Sequence, residues 1–528
     1  MDHGLDKGIA YIIRYNLATS KYEAINGDDG TIAYTNALPT VVFKAVATVA
    51  SNCRIILMGI SVALTETIYW KAGVYIYGTG KEVTKISGAN NLDIFNFNNG
   101  GTLVYRHGGI YDLSLWSGDN GTGCVVDALW GFEIHNCLFW RNSGILTATG
   151  IKFINEAYEG YITNCAFGML KTCIYTESNA IHIFGNDLSC MDGGVCVDIT
   201  EGADACKIIG NYIEQPTGAG GICVRILDTE TRISSRNEVI GNLIHAGYTA
   251  TGYGIYLAAG ENKLSDNSFW VTGGGVGVYL HSGWENIISV NHFHVDNGRG
   301  IYAPDSGTAG HNIINDNEFY HNGYRAIDVH RNNLTINGNH IFTTNNAISA
   351  AVRLADKIDF IGNTLYAEPG NTQTALNLFG NDCIILGNSF ENYTVACDVQ
   401  ASIPNTIIAH NRFTSITTPI YKSSAIHQVV IHCNIGYNPV GNVANPLRND
   451  LAGDFIVDSY GNSNVWVSDT VYTNTQSEKT LYISGGTVTA IRVNGVITGL
   501  IDGSFPLMQG DTIQITYSVA PTVKTMVR

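Results

Sequence analysis

Residues 262–319 read NKLSDNSFWVTGGGVGVYLHSGWENIISVNHFHVDNGRGIYAPDSGTAGHNIINDNEF, and one phrase occurs in them three times: LSDNSF (264–269), ISVNHF (288–293) and INDNEF (314–319). Each is apolar-x-x-Asn-x-apolar. The phrase continues in both directions. Before it stand IHNCLF (134–139), ITNCAF (162–167), IFGNDL (183–188), IIGNYI (208–213) and VIGNLI (239–244). After it come INGNHI (336–341), FIGNTL (360–365), ILGNSF (385–390), IAHNRF (408–413) and IHCNIG (431–436). The asparagines run from Asn136 through Asn164 and Asn186 to Asn434, with a period of about 25 residues. Each unit also holds a second short run, such as GIYLA (254–258), GVYLH (277–281), GIYAP (300–304) or AIDVH (326–330), in which apolar and variable residues alternate. Such a unit is too short for a helix pair and is rich in β-branched and aromatic residues. It predicts one coil of a parallel β-helix, with coils stacked about 4.8 Å apart. The recurrent Asn then falls at one stacked position, where its amide bonds the next coil.

The composition agrees. Charged residues make up 14% of 528, Gly numbers 59 and Pro only 10, and the net charge is -16. Disorder requires low hydrophobicity, which 45% apolar residues exclude. Gly keeps no period of three, as collagen would need. No apolar run reaches the length of a membrane-spanning helix, so no membrane insertion is expected. The acidic balance argues against a nucleic-acid partner. The N-terminus, MDHGLDKGIAYIIRYN, lacks the basic and apolar regions of a secretory signal. The 12 Cys include no CxxC pair and no metal-ligand spacing, so neither a metal nor another cofactor is expected. Cys196 and Cys223, like Cys137 and Cys165, read as small apolar fillers in neighbouring coils.

Residues 53–86, CRIILMGISVALTETIYWKAGVYIYGTGKEVTKI, resemble the opening coils of the pectate-lyase-like superfamily. The preceding PTVVFKAVATVAS (39–51) resembles the short amphipathic helix that caps such solenoids. The resemblance spans roughly residues 39–437. It implies an all-β chain: a right-handed parallel β-helix with an N-terminal capping helix and a C-terminal antiparallel β-sandwich. The superfamily includes lyases, glycosidases, esterases, viral tailspikes and adhesins, so it implies a fold and not one activity. The expected layout is a β-hairpin module over 1–34, helix and solenoid over 35–437, a linker over 438–454, and a sandwich over 455–528. That three-part order resembles virus tailspikes. It implies a homotrimer attached to a virion through its N-terminus and recognising, or depolymerising, a host surface glycan. The alternatives are a secreted polysaccharide lyase or hydrolase, located extracellularly, and a non-enzymatic surface adhesin.

Aligning the second run predicts an inward column through Ile174, Val195, Ile222, Ile255, Val278 and Ile301. The outward column beside it contains Cys196, Cys223, Tyr256, Tyr279, Tyr302, Asp328, Arg353, Asn377 and Asp398, with His281 and His330 on the next outward line. Flat rings match the C–H faces of sugars, and charged groups bond hydroxyls or acids. Tyr256, Tyr279, Tyr302, Arg353, His281 and Asp398 are therefore candidate glycan-binding residues. A tyrosine ladder that only strengthens the sheet is the alternative. A second outward column, Glu214, His245, Trp270, His294, Tyr320, Phe342, Tyr366 and Glu391, offers Trp270 and Tyr320 as further platforms, or as a surface against a neighbouring subunit. Glycoside hydrolysis needs two carboxyl groups. Asp328 with Asp305 is the expected pair, and His330 the expected base of a lyase.

Overall fold

The computed structural model describes residues 8–98, 107–141, 147–200, 202–215, 220–228, 234–247, 252–305, 309–330, 333–344, 350–399, 405–422, 429–432, 434, 455–457, 471–473, 479–484, 487–508, 510–519 and 522–527. Strands dominate the described residues, with the helix Pro39–Val49 the exception among longer elements. No helix among them is long and apolar enough to cross a membrane. The chain divides into two compact units, Met1–Thr335 with Asn339–Ala351, and Ile336–Gly338 with Val352–Arg528.

In the first unit a typical coil has three strands, and in two coils the second and third run on as one, Ala166–Thr176 and Asp187–Ile199. One coil runs through Lys263–Ser265, Ser268–Val271 and Val276–Trp284, and the next through Ile287–Ser289, His292–Val295 and Arg299–Ala303. Like strands pair in parallel, Lys263 with Ile287, Ser268 with His292 and Tyr279 with Tyr302. This gives three faces, here the first, second and third in chain order. Inside the second face, Phe269, Phe293 and Phe319 stack at 4.5 and 4.7 Å. The third face passes close over these rings, which is why Gly277 is glycine. A Cβ there would meet the Phe293 ring at 3.0 Å and the Gly300 carbonyl at 2.7 Å.

The asparagine ladder is buried. Asn317 Oδ1 accepts bonds of 3.0 Å from the backbone N–H and Nδ2 of Asn291, while its own Nδ2 donates to Ile288 O and Asn339 Oδ1 at 2.9 Å. Peptide groups at this corner lack strand partners, and the side chains supply them. The expected register is one residue off at the N-terminal end. Cys137 and Cys165, not Asn136 and Asn164, occupy the ladder. Cys137 N donates to Cys165 Sγ at 3.4 Å, and Cys165 N to Asn186 Oδ1 at 2.8 Å. Asn136 and Asn164 hold the preceding position, where φ is +50° and +55°. Asn tolerates that left-handed conformation better than other non-Gly residues, so the same letter serves two different positions. A second ladder, Asn237, Asn262, Asn286 and Asn312, closes the other end of the first-face strands. It was legible as Asn-x4-Asn, since each member stands five residues before a first-ladder Asn.

The helix begins at Pro39, whose fixed φ and missing N–H suit a first turn. It buries Val42, Phe43, Val46 and Ala47, with Phe43 stacked 6.4 Å from Phe95. It ends where Ala50 N bonds Val46 O at 2.8 Å and the chain becomes extended. The N-terminal strands reach Asn36 and are continuous with the solenoid: Ile9–Asn16 pairs in parallel with Arg54–Met58 and antiparallel with Lys21–Asn26.

The second unit repeats the coil pattern, with Val352, Leu376, Cys397 and Ile420 in one inward column. Its ladder runs through Asn363, Asn388, Asn411 and Asn434. The expected linker, 438–454, lies outside the described residues. Beyond it, Lys479–Ser484, Gly503–Leu507 and Thr522–Val527 form one antiparallel sheet. Val471–Thr473, Thr487–Val493, Val496–Ile497 and Thr512–Val519 form another. Leu481, Ile483, Phe505 and Leu507 from the first sheet pack with Val488, Ile491, Ile513 and Ile515 from the second, as in a sandwich.

Candidate functional site

The third face carries most of the residues that the sequence singles out. In register, Asp198 is followed by Arg225, Tyr256, Tyr279, Tyr302 and Asp328. This corrects the expected column by two residues in two coils. Asp198 and Arg225, not Cys196 and Cys223, stand beside the tyrosines. On the inward side Ile174 pairs with Val197, and Val197 with Val224, in place of Val195 and Ile222. Cys196 and Cys223 are buried free thiols. Each third-face strand turns a corner near its start: Tyr253 is half-buried, Gly254 and Ile255 are both buried, and Tyr256 is half-buried again. Strict alternation fails there, and a period of two does not register a slip of two.

The tyrosines form a rail. Tyr256 and Tyr279 stack at 5.2 Å and 14°, and Tyr302 meets Tyr279 edge-on at 5.5 Å. Tyr253 closes on Tyr279 at 4.7 Å, and His281 lies 5.4 Å from Tyr256. These offset and T-shaped contacts are the arrangements that ring quadrupoles favour. At one end Arg225 grips Asp198 through two bonds, Nε to Oδ1 at 2.7 Å and Nη2 to Oδ2 at 2.6 Å.

At the other end Asp328 is only 1% exposed, and both its oxygens are engaged. Oδ2 accepts from Arg299 Nε at 2.9 Å and Arg325 Nη1 at 3.0 Å, and Oδ1 lies 2.9 Å from His330 Nε2. Burial alone would raise the carboxyl pKa, but His330 and Arg325 outweigh it and hold it at about 2. A glycosidase acid must keep its proton until the leaving group takes it. Asp328 favours the ionised form, which suits the nucleophile or base of a carboxyl pair rather than its acid, and it contacts two arginines and a histidine. Asp305, its expected partner, is exposed in a bend after Arg299–Ala303. The guanidinium of Arg299 also lies 4.6 Å over the Tyr302 ring and 4.5 Å over Tyr324, and that of Arg325 lies 4.4 Å over Tyr324.

Arg299, Arg325, Tyr324 and Tyr253 are absent from the sequence-based candidates. The signal was present: YGIY (253–256), RGIY (299–302) and RAID (325–328) put a large polar or aromatic residue three places before each outward residue. The corner turns both positions outward.

The second face carries the other expected column. Glu214, His245, Trp270, His294, Tyr320 and Phe342 are in register. Successive rings from His245 onward are 5.3, 5.6, 4.9 and 5.3 Å apart. Trp270 is 50% and Tyr320 37% exposed. In the second unit, Arg353 lies 4.3 Å over the Phe379 ring, and Asp398 stands between Asn377 and Tyr421 in an outward column. Among the described residues no group of three His, Cys, Asp or Glu side chains is placed to hold a metal ion.

Residues 191–364 match the family model described as a right handed beta helix region. No curated protein matches the sequence. Among solved structures, a mutant tailspike protein of E. coli bacteriophage HK620, in complex with a pentasaccharide, is 11% identical with a TM-score of 0.38, over 94% of this chain and 90% of that one. The Dettilon tailspike protein is 13% identical with a TM-score of 0.35, over 92% and 75%. PfbA, a surface adhesin of Streptococcus pneumoniae, is 11% identical with a TM-score of 0.37, over 79% and 91%. The family match and the strand register together make residues 191–364 part of a right-handed parallel β-helix.

Proposed function

We propose that this chain is a tailspike-type recognition protein that binds a cell-surface glycan along its third face. The observation that carries the reading is the rail of Tyr256, Tyr279 and Tyr302, in register on successive coils. Three rings on successive coils are two steps apart and span about 10 Å, enough for roughly two sugar rings. Apolar sugar faces lie against the rings, and the ordered polar groups at either end orient the hydroxyls. The protein is displayed on a virion, or on a cell surface, where such a glycan is met. The proposal is for recognition, in which Asp328, ion-paired with Arg299 and Arg325, orders the polar groups beside Tyr302. Attachment through the N-terminal strands and a homotrimeric assembly belong to the same proposal.

Tyr279→Ala tests it. The variant removes the central ring of the rail. Glycan binding, measured on intact cells or on purified polysaccharide, should fall about tenfold or more, while the melting temperature stays within a few degrees of wild type. Unchanged binding would move the groove to the Trp270–Tyr320 column.

A further inference from the structure

We propose that the glycan is acidic, and that Arg299 and Arg325 receive a sugar carboxylate at the Tyr302 end of the rail. The inference rests on the glycan reading above and names the substrate class of that site. It begins with charge. At the Asp198 end one arginine meets one aspartate through two bonds, and the pair is balanced. At the Tyr302 end two arginines share the single carboxylate of Asp328, and both bond the same oxygen, Oδ2. One positive charge is left over, before His330 is considered. It stands on a chain whose net charge is -16.

The donors also outnumber the acceptors. Arg299 uses Nε on Asp328, and its terminal amines have no acceptor among the described residues. Its side chain is 29% exposed, so those amines are within reach of a ligand. Arg325 is more than nine-tenths buried, and its Nε has no hydrogen-bond partner among the described residues. A buried guanidinium N–H without an acceptor is costly, so Asp328 alone does not satisfy this pair of arginines. Stacking on Tyr302 and Tyr324 fixes both guanidinium planes before a ligand arrives. A planar fork suits a planar carboxylate. A surplus of one charge suits a monoanion.

The test uses the full-length protein on an array of neutral, sulfated and carboxylate-bearing oligosaccharides. Binding should be confined to the carboxylate-bearing members. For a bound oligosaccharide, reduction of its carboxyl to the alcohol should weaken affinity about tenfold or more. Arg299→Gln should abolish that difference between acid and alcohol, and Arg299→Lys should restore part of it. The comparison of acid with alcohol on wild-type protein stands even if a variant fails to fold. Hits confined to neutral or sulfated members, or equal affinity for acid and alcohol, would overturn the carboxylate assignment and leave the glycan reading intact. An array on which nothing binds would overturn both.

Discussion

Two buried side chains, on the third and second faces, respond to pH in the same sense, each losing stability as the pH falls but over a different range. The Asp328 carboxyl sits at about 2 in the fold, against an ordinary 3.8. The fold therefore favours the carboxylate. This contributes about 2 kcal/mol, fully present above pH ~4 and lost as the pH falls through about 2. Asp328→Asn at pH 7 also leaves Arg299 and Arg325 without their shared anion, a loss of about 3 kcal/mol. Melting curves of wild type and variant should lie far apart at pH 7 and converge near pH 2. A constant gap would mean that the ion pairs do not set the carboxyl. His321 is fully buried, and among the described residues neither ring nitrogen makes a hydrogen bond of normal geometry. Burial pushes its pKa from 6.5 down to about 4. The unfolded chain takes up this proton first, so stability falls as the pH drops from about 6.5 to about 4, by about 3 kcal/mol in all. Its inward column holds Val271 and Val295. His321→Val should remove that slope, and urea midpoints at pH 7 and pH 5 would measure it.

The coil corner is the element that explains both what the sequence reveals and what it conceals. The Asn317 side chain takes part in four hydrogen bonds, each to a buried group on a neighbouring coil. Asn317→Leu strands those groups and should cost roughly 1–3 kcal/mol. Asn317→Cys should cost less, because Cys137 and Cys165 already hold that ladder position with a thiol. Equal losses for Leu and Cys in denaturant unfolding would show that the thiol does not substitute for the amide. The ladder was readable because one chemical demand recurs every coil and Asn meets it. Its register at Asn136 and Asn164 was misread, although IHNCLF and ITNCAF carry Asn at their third place and Cys at their fourth, because Asn also satisfies the left-handed position one residue earlier. The third-face column failed similarly. Two consecutive buried residues, such as Gly254 and Ile255, break the alternation that would have placed Asp198 and Arg225 beside the tyrosines.

At the scale of the whole molecule, the solenoid was legible because its repeat imposes one pattern many times. The functional face was half legible. Tyr256, Tyr279 and Tyr302 share a column and a residue type, whereas Arg299 and Arg325 pair with Asp328 through a neighbouring column that only the corner brings into view. Assembly is the remaining question at this scale, and the C-terminal sandwich supplies its argument. Its two sheets bury Ile491, Ile513 and Ile515 between them. Yet Val496, Ile497, Leu500, Ile501 and Met508 are each more than half exposed. Small domains rarely leave such residues in water unless a partner covers them. We predict that sister chains do so, giving a homotrimer. Sedimentation of the full chain at micromolar concentration should then report three times the 57.0 kDa protomer mass. Placing aspartate at both sites, Ile497→Asp with Ile501→Asp, should shift the mass to one protomer. These positions are exposed within one chain, so the secondary structure should survive. A wild-type protein that sediments as a monomer would reject the trimer and leave the exposed stretch 496–508 to another partner.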